Sequence, residues 1–205
     1  MNNILNNKFY LLWEKAANFF LLNLLWVIAC IPIVTIFPAT AAMYGVIREW
    51  KMDGETSVFR PFWNNFKLHF KKSLLFEIIW VVIASLLFYD FQIVFQMTSA
   101  GFIPVKILLV LITATFLCMS TLLFPLIVQY DSKLKDSIKN MFIISFAYFP
   151  TTLLIVISGV ILFLVVYILP ITLFILVSLY GYLNFHLSHQ VFTKIEKYRL
   201  SVSNK

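Results

Sequence analysis

Glu77 is the only acidic residue clearly inside an apolar run, and a carboxylate within a membrane is by default a candidate for ion coupling or proton relay. It follows Lys71, Lys72 and Ser73 by four to six residues, so its side chain can reach water or pair with a lysine of its own helix at lower cost. The spacing favours that second reading. His186 and His189, three residues apart, share a helix face, with His69 expected on the same side of the membrane. Helical histidines at that spacing can ligate a metal, but no Cys, Asp or Glu stands beside them at ligand spacing. They read as polar residues at a wet helix end. Cys30 and Cys118 lie apart in apolar runs and read as small buried side chains. Asn23, Thr113, Thr115, Ser120, Thr151, Thr152 and Asn184 are the other polar groups in such runs, where side chains of this kind commonly hydrogen-bond across helices. There is no P-loop, G-x-S-x-G, H-E-x-x-H or dinucleotide fingerprint, and nine acidic residues leave few places for a catalytic carboxylate pair. The expectation is a protein that is not an enzyme, with no catalytic residue, no metal and no cofactor.

The elements that position these residues follow from composition. Of 205 residues, 61% are hydrophobic and 12% charged, with a mean hydropathy of +0.92. A soluble chain carries about 25% charged residues, so the excess apolar surface must face lipid. An all-α, polytopic bundle in one integral membrane domain, residues 1–205, is expected. Five spans are read, at about 18–37, 74–91, 107–130, 141–165 and 168–187. The first is an uncharged run of 20 residues, roughly 30 Å as a helix, with Pro32 kinking its distal end. Ala39-Thr40-Ala41 has the form of a signal cleavage site, but the run is too long for a signal core and Pro32 and Pro38 interrupt its end. Pro125 interrupts the third span. Met141–Phe185 is uncharged over 45 residues and must fold into two crossings, with Pro170 preferred over Ser158-Gly159 as the break.

Between the first two spans Asp53-Gly54 marks a turn, Thr56 or Ser57 can cap a helix, and Pro61 suits its first turn. Phe62, Phe66 and Phe70 then form one aromatic stripe, with Lys67, Lys71 and Lys72 off it. An amphipathic cytoplasmic helix results, its stripe lying either in the headgroup region or against the protein's own helices.

The net charge of +7 does not indicate nucleic-acid binding, because the 16 basic residues lie in short segments between apolar runs. With five spans, alternate segments hold three and 13 of them, which places the C-terminus in the cytoplasm and the N-terminus outside. If residues 16–47 instead turn back near Pro32 to Pro38, the division is 15 to one and the N-terminus joins the C-terminus.

From Ile36-Phe37-Pro38-Ala39-Thr40-Ala41-Ala42-Met43-Tyr44 through Val46, Arg48 and Trp50, the chain resembles the YesL-like family of small bacterial membrane proteins. The likeness continues at Asp53-Gly54, Phe59 to Trp63, Phe66, Lys71, Ser73, Tyr89-Asp90 and Phe124-Pro125-Leu126 through Tyr130-Asp131. Some members have Gly where this chain has Phe37. The resemblance implies a multi-span protein of the bacterial cell membrane, often associated with carbohydrate-uptake systems, and it supplies no catalytic residue. Pro38, Thr40, Arg48, Asp90 and Asp131 join Glu77 as candidate functional residues. The expected function is that of a non-enzymatic accessory component of carbohydrate uptake. Its partners would be the lipid bilayer and a sugar-uptake membrane complex or a second copy of itself. The alternative is a small oligomeric transporter or channel, resting on Glu77 and the polar Thr and Asn positions.

Overall fold

A computed structural model describes residues 8–54, 56–97 and 99–203. The described residues form seven α-helices and no strand: α1 (Lys8–Ala29), α2 (Ile36–Met52), α3 (Phe59–Gln96), α4 (Ile103–Gln129), α5 (Leu134–Ala147), α6 (Phe149–Ile168) and α7 (Leu173–Ser203). Four of them, α3, α4, α6 and α7, are long and apolar enough to cross a membrane. Their outer faces are apolar and exposed: Val160, Ile161, Phe163 and Leu164 of α6 are 54%, 56%, 69% and 52% accessible. Such a surface is at home in lipid.

The first span is corrected. Residues 18–37 are not one helix, because α1 ends at Ala29 and α2 starts at Ile36. Pro32 lacks an N–H and biases Ile31 away from helical geometry, so the chain turns there. The turn satisfies its own backbone. The Thr35 hydroxyl lies 2.6 Å from both the Ala29 and the Pro32 carbonyl oxygens, and Thr35 N donates to Pro32 O at 2.9 Å. The residues around it, Ile31, Ile33 and Val34, are exposed and apolar. Trp26 donates to Thr40 and Phe19 meets Trp50, so α1 and α2 run antiparallel as a hairpin. The chain goes in and comes back.

The helix α2 is the most enclosed element, buried continuously from Pro38 to Ile47 except at Thr40. Ala39, Ala41, Ala42 and Gly45 let neighbouring helices come close. At Gly45 the approach is extreme: an added Cβ would overlap the Asn65 side chain of α3. One apolar cluster joins Leu22, Met43, Ile47, Phe62 and Phe185; a second joins Phe76, Leu122, Leu126, Met141 and Phe192.

The separate amphipathic helix is also corrected. Its residues are the first part of α3, a continuous helix of 38 residues and roughly 57 Å, almost twice a hydrocarbon core. Val58, not Thr56 or Ser57, occupies the N-cap position, without a side-chain capping bond. Phe62 is wholly buried and Phe66 packs on the same cluster, so that end of the aromatic stripe faces protein.

The long uncharged run divides in two places. A 3-10 turn at Pro170–Thr172 separates α6 from α7, and a second break at Tyr148 separates α5 from α6, within the expected span 141–165. Pro150 causes the latter, since its ring fits the first turn of α6 but not the interior of a longer helix. Ser158-Gly159 stays helical; the glycine leaves room for the Tyr180 hydroxyl. Pro125 lies inside α4 without ending it.

Candidate functional site

The start of α2 lies just past the exposed turn, with Ile36 still exposed and Pro38 and Ala39 buried. A helix leaves its first N–H groups without partners, and in hydrocarbon each costs several kcal/mol. Ile36 N donates to Ile33 O. Glu77, reaching across from α3, accepts a hydrogen bond from the backbone of Phe37. Pro38 has no N–H to satisfy. Glu77, only 7% exposed, thus brings a carboxylate to the positive end of the α2 dipole. Its second oxygen, Oε2, has no partner. This contact differs from the expected snorkelling toward water or pairing with a lysine.

Thr40, one turn further on, accepts from Trp26 Nε1 at 3.0 Å and donates to the Ile36 carbonyl at 2.7 Å. Pro38, Thr40 and Glu77 therefore meet at one place, the beginning of α2. Arg48 lies near the other end of α2, where His69 feels both it and Asp131. Asp90 is exposed near the far end of α3, apart from the rest.

Deeper polar groups bond to each other. Asn23 and Ser178, both fully buried, join α1 to α7: Asn23 Nδ2 donates to Ser178 Oγ at 2.8 Å, and Ser178 N donates to Asn23 Oδ1 at 3.0 Å. Asn184 Nδ2 donates to the Tyr44 hydroxyl at 2.8 Å and to the Thr121 carbonyl at 3.0 Å, while its Oδ1 accepts from Ser188. Trp80 Nε1 donates to Ser120 at 2.8 Å, joining α3 to α4. A cavity of about 480 Å³ between α2, α4, α6 and α7 is lined by Thr40, Tyr44, Ser120, Thr121, Tyr180 and Asn184 among apolar side chains.

At the other end of α2, Lys51 Nζ donates to His186 Nδ1 at 2.9 Å. Gln190 Nε2 lies 3.1 Å from His186 Nε2 on the far side of the ring. Burial holds the Lys51 ammonium below the usual lysine pKa. His189 stacks on Phe185. No group of three or more His, Cys, Asp or Glu side chains among the described residues could hold a metal. Sequence reasoning passed over Ser178, Tyr44 and Lys51. Ser178, a polar side chain within an uncharged run as Asn23 is, was the one signal available.

These features define a polytopic α-helical membrane protein. Residues 19–91, from the middle of α1 to near the end of α3, match the family described as protein of unknown function, DUF624. The chain is 31% identical over 181 residues to the uncharacterized protein YesL of Bacillus subtilis (strain 168), covering 86% of this chain and 85% of the relative. It is 27% identical over 191 residues to the uncharacterized protein YteU of the same organism, covering 90% and 85%. No solved structure matches. The chain belongs to the YesL-like family of unknown function.

Proposed function

We propose that the protein is a non-enzymatic accessory component of the bacterial cell membrane that acts by associating with a carbohydrate-uptake complex. The observation that carries this reading is the use of the intramembrane polar groups. Asn23, Ser178, Asn184, Tyr44, Trp80 and Ser120 bond across helices, and one oxygen of Glu77 holds a helix end. Groups so engaged act as joints rather than as steps along a path. The carbohydrate connection rests on the family resemblance alone. Extraction in mild detergent and identification of what copurifies tests the reading. Subunits of a sugar-uptake complex should be retained, and deleting the protein should lower uptake; recovery alone with uptake unchanged removes the proposal.

The same reading sets the orientation. With α1 and α2 returning to one face, 14 of the 15 Lys and Arg among the described residues belong to that face and Lys106 to the other. The excess of positive charge supports a cytoplasmic assignment for that face, carrying both termini.

A second reading, a small transporter, is favoured by the cavity of about 480 Å³ and the hydroxyls of Tyr44 and Tyr180 that line it. Flux of sugars or ions into proteoliposomes discriminates. Transport that survives Glu77→Gln and is lost in Tyr180→Phe supports a path through the cavity. No flux under any gradient leaves the accessory role.

A further inference from the structure

The polar side chains within the bundle bond to one another, but a cleft at its charged end is lined by polar groups that do not. It lies between α1, the end of α2 and the start of α3, and encloses about 780 Å³. Glu49 and Asp53, four residues apart at the end of α2, line it together with Asn18 of α1 and with Thr56, Arg60 and Asn64 beyond the turn. Gly54, at a φ of 70°, lets the chain reverse there, and Trp50 Nε1 donates to the Ser57 carbonyl at 3.1 Å, which ties the returning segment down. Glu49 gives one oxygen to Asn65 at 2.7 Å. The side chains of Asn18, Asp53, Thr56, Arg60 and Asn64 have no hydrogen-bond or ion-pair partner among the described residues.

Asn18 and Thr56 also line an adjoining cavity of about 410 Å³, whose walls include Phe19, Trp50, Tyr182 and Lys15. The aromatic walls brace each other: the Phe19 ring meets Trp50 edge-on at 5.3 Å and Tyr182 at 5.8 Å. Both volumes fall in the range of small-molecule sites, about 300–1,000 Å³.

The lining selects among ligand classes. An anion would meet Glu49 and Asp53, and a cation would meet Arg60 and Lys15, so neither sign of net charge is favoured. A wholly apolar ligand would strip water from the carboxylates and amides without replacing its hydrogen bonds. A neutral polyol fits all of them. Each of its hydroxyls both donates and accepts, to suit carboxylate oxygens, guanidinium N–H groups and amides that offer both. A sugar ring adds C–H groups on its faces, and the negative face of an aromatic ring attracts them.

We propose that the two adjoining cavities bind a neutral mono- or disaccharide, its hydroxyls on Asp53, Asn18, Arg60 and Asn64 and its C–H groups against the aromatic walls. The site gives the proposed accessory role a ligand and to that extent rests on it. The two fail separately, because binding is read on the purified protein alone and the accessory role from copurification and uptake.

The test uses the full-length protein in an amine-oxide detergent, since a glycoside detergent would itself offer sugar headgroups. Equilibrium dialysis with radiolabelled glucose, galactose, mannose, xylose, maltose and lactose reads binding, with tetralysine as a cationic counter-probe. At least one sugar should bind saturably to the wild type. Asp53→Ala should weaken it by about tenfold or more, the effect of losing a charged acceptor, and Asn18→Ala by about threefold or more. Asn140→Ala removes an exposed α5 amide that does not line the cleft and should change it by less than about twofold. Thermal unfolding of all three variants should match the wild type, because none of these side chains bonds within the protein. No saturable binding of any of the six sugars overturns the proposal, as does an Asn140→Ala loss equal to those of the cleft variants. Tetralysine binding tighter than every sugar and lost in Asp53→Ala also overturns it and makes the cleft a dock for a basic segment. Should Asn18→Ala not fold, Asn64→Ala decides by the same threshold.

Discussion

Asn184 Nδ2 donates to the main-chain carbonyl of Thr121 at 3.0 Å, and that carbonyl is free because the residue four places on is Pro125. A proline inside a helix removes the bond that its N–H would have made to the carbonyl one turn earlier. Here α7 supplies a replacement donor, so α4 continues to Gln129 and α4 and α7 are pinned together. Asn184→Leu should therefore lower stability in detergent by about 1–2 kcal/mol, the range for interhelical hydrogen bonds in membranes. Pro125→Ala restores the missing N–H. In a double-mutant cycle the loss from Asn184→Leu should be smaller in the Pro125→Ala background; strict additivity would show that the two residues act separately.

Glu77 and the first turn of α2 make a second pair. Glu77→Leu leaves the Phe37 N–H without its acceptor and should destabilise the protein by about 2 kcal/mol or more. Glu77→Gln keeps an acceptor oxygen and loses only the charge at the helix end, a cost of about 0.3–1 kcal/mol. Unfolding in a denaturing detergent ranks the two. Equal losses would show that the charge, not the hydrogen bond, is what α2 requires.

Gly45 has no room for a side chain while Asn65 is in place. Gly45→Ala should cost about 1–3 kcal/mol by overpacking, and Asn65→Ala in the same chain should recover part of it. Thermal unfolding of the single and double variants reads this directly. A neutral Gly45→Ala would mean that α2 and α3 are less closely apposed.

The hairpin of α1 and α2 predicts which positions share a face. With Cys30 and Cys118 replaced by Ala, single cysteines at Lys15, Asp53 and Lys133 should react with an impermeant thiol reagent only after cells are opened. Cysteines at Gly101 and Ile171 should react in intact cells. Labelling of Lys15→Cys on the Gly101 side would restore a single crossing in place of the hairpin.

Sequence alone made the helical membrane fold legible, because hydropathy depends on side-chain types and those are printed in the chain. It also placed a break at Pro170. The prolines were harder. Pro32 turns the chain, Pro125 does not end its helix, and Pro150 starts a new one, although all three interrupt apolar runs. What lets α4 continue past Pro125 is a donor from another element for the carbonyl that the proline leaves free, and that donor can be far away in sequence, as Asn184 is. The candidate residues divided in the same manner. Pro38, Thr40 and Glu77 converge on one helix start, but only the return of α2 against α3 explains why. Asp90 remained alone.

The hairpin also constrains the order in which the chain can be assembled. The carboxylate that completes the start of α2 lies 40 residues downstream of Phe37, and the serine that docks α1 is separated from Asn23 by 155 positions. When α1 and α2 leave the ribosome, neither stabilising residue has yet emerged to meet them. The first hairpin must wait, sheltered within the insertion machinery or resting at the lipid surface, until α3 arrives, and it gains its last anchor only when α7 closes the bundle. The opening segment of this protein is thus among the last to be secured, and a nascent chain stalled before residue 77 should leave its N-terminal portion open to quality-control proteases.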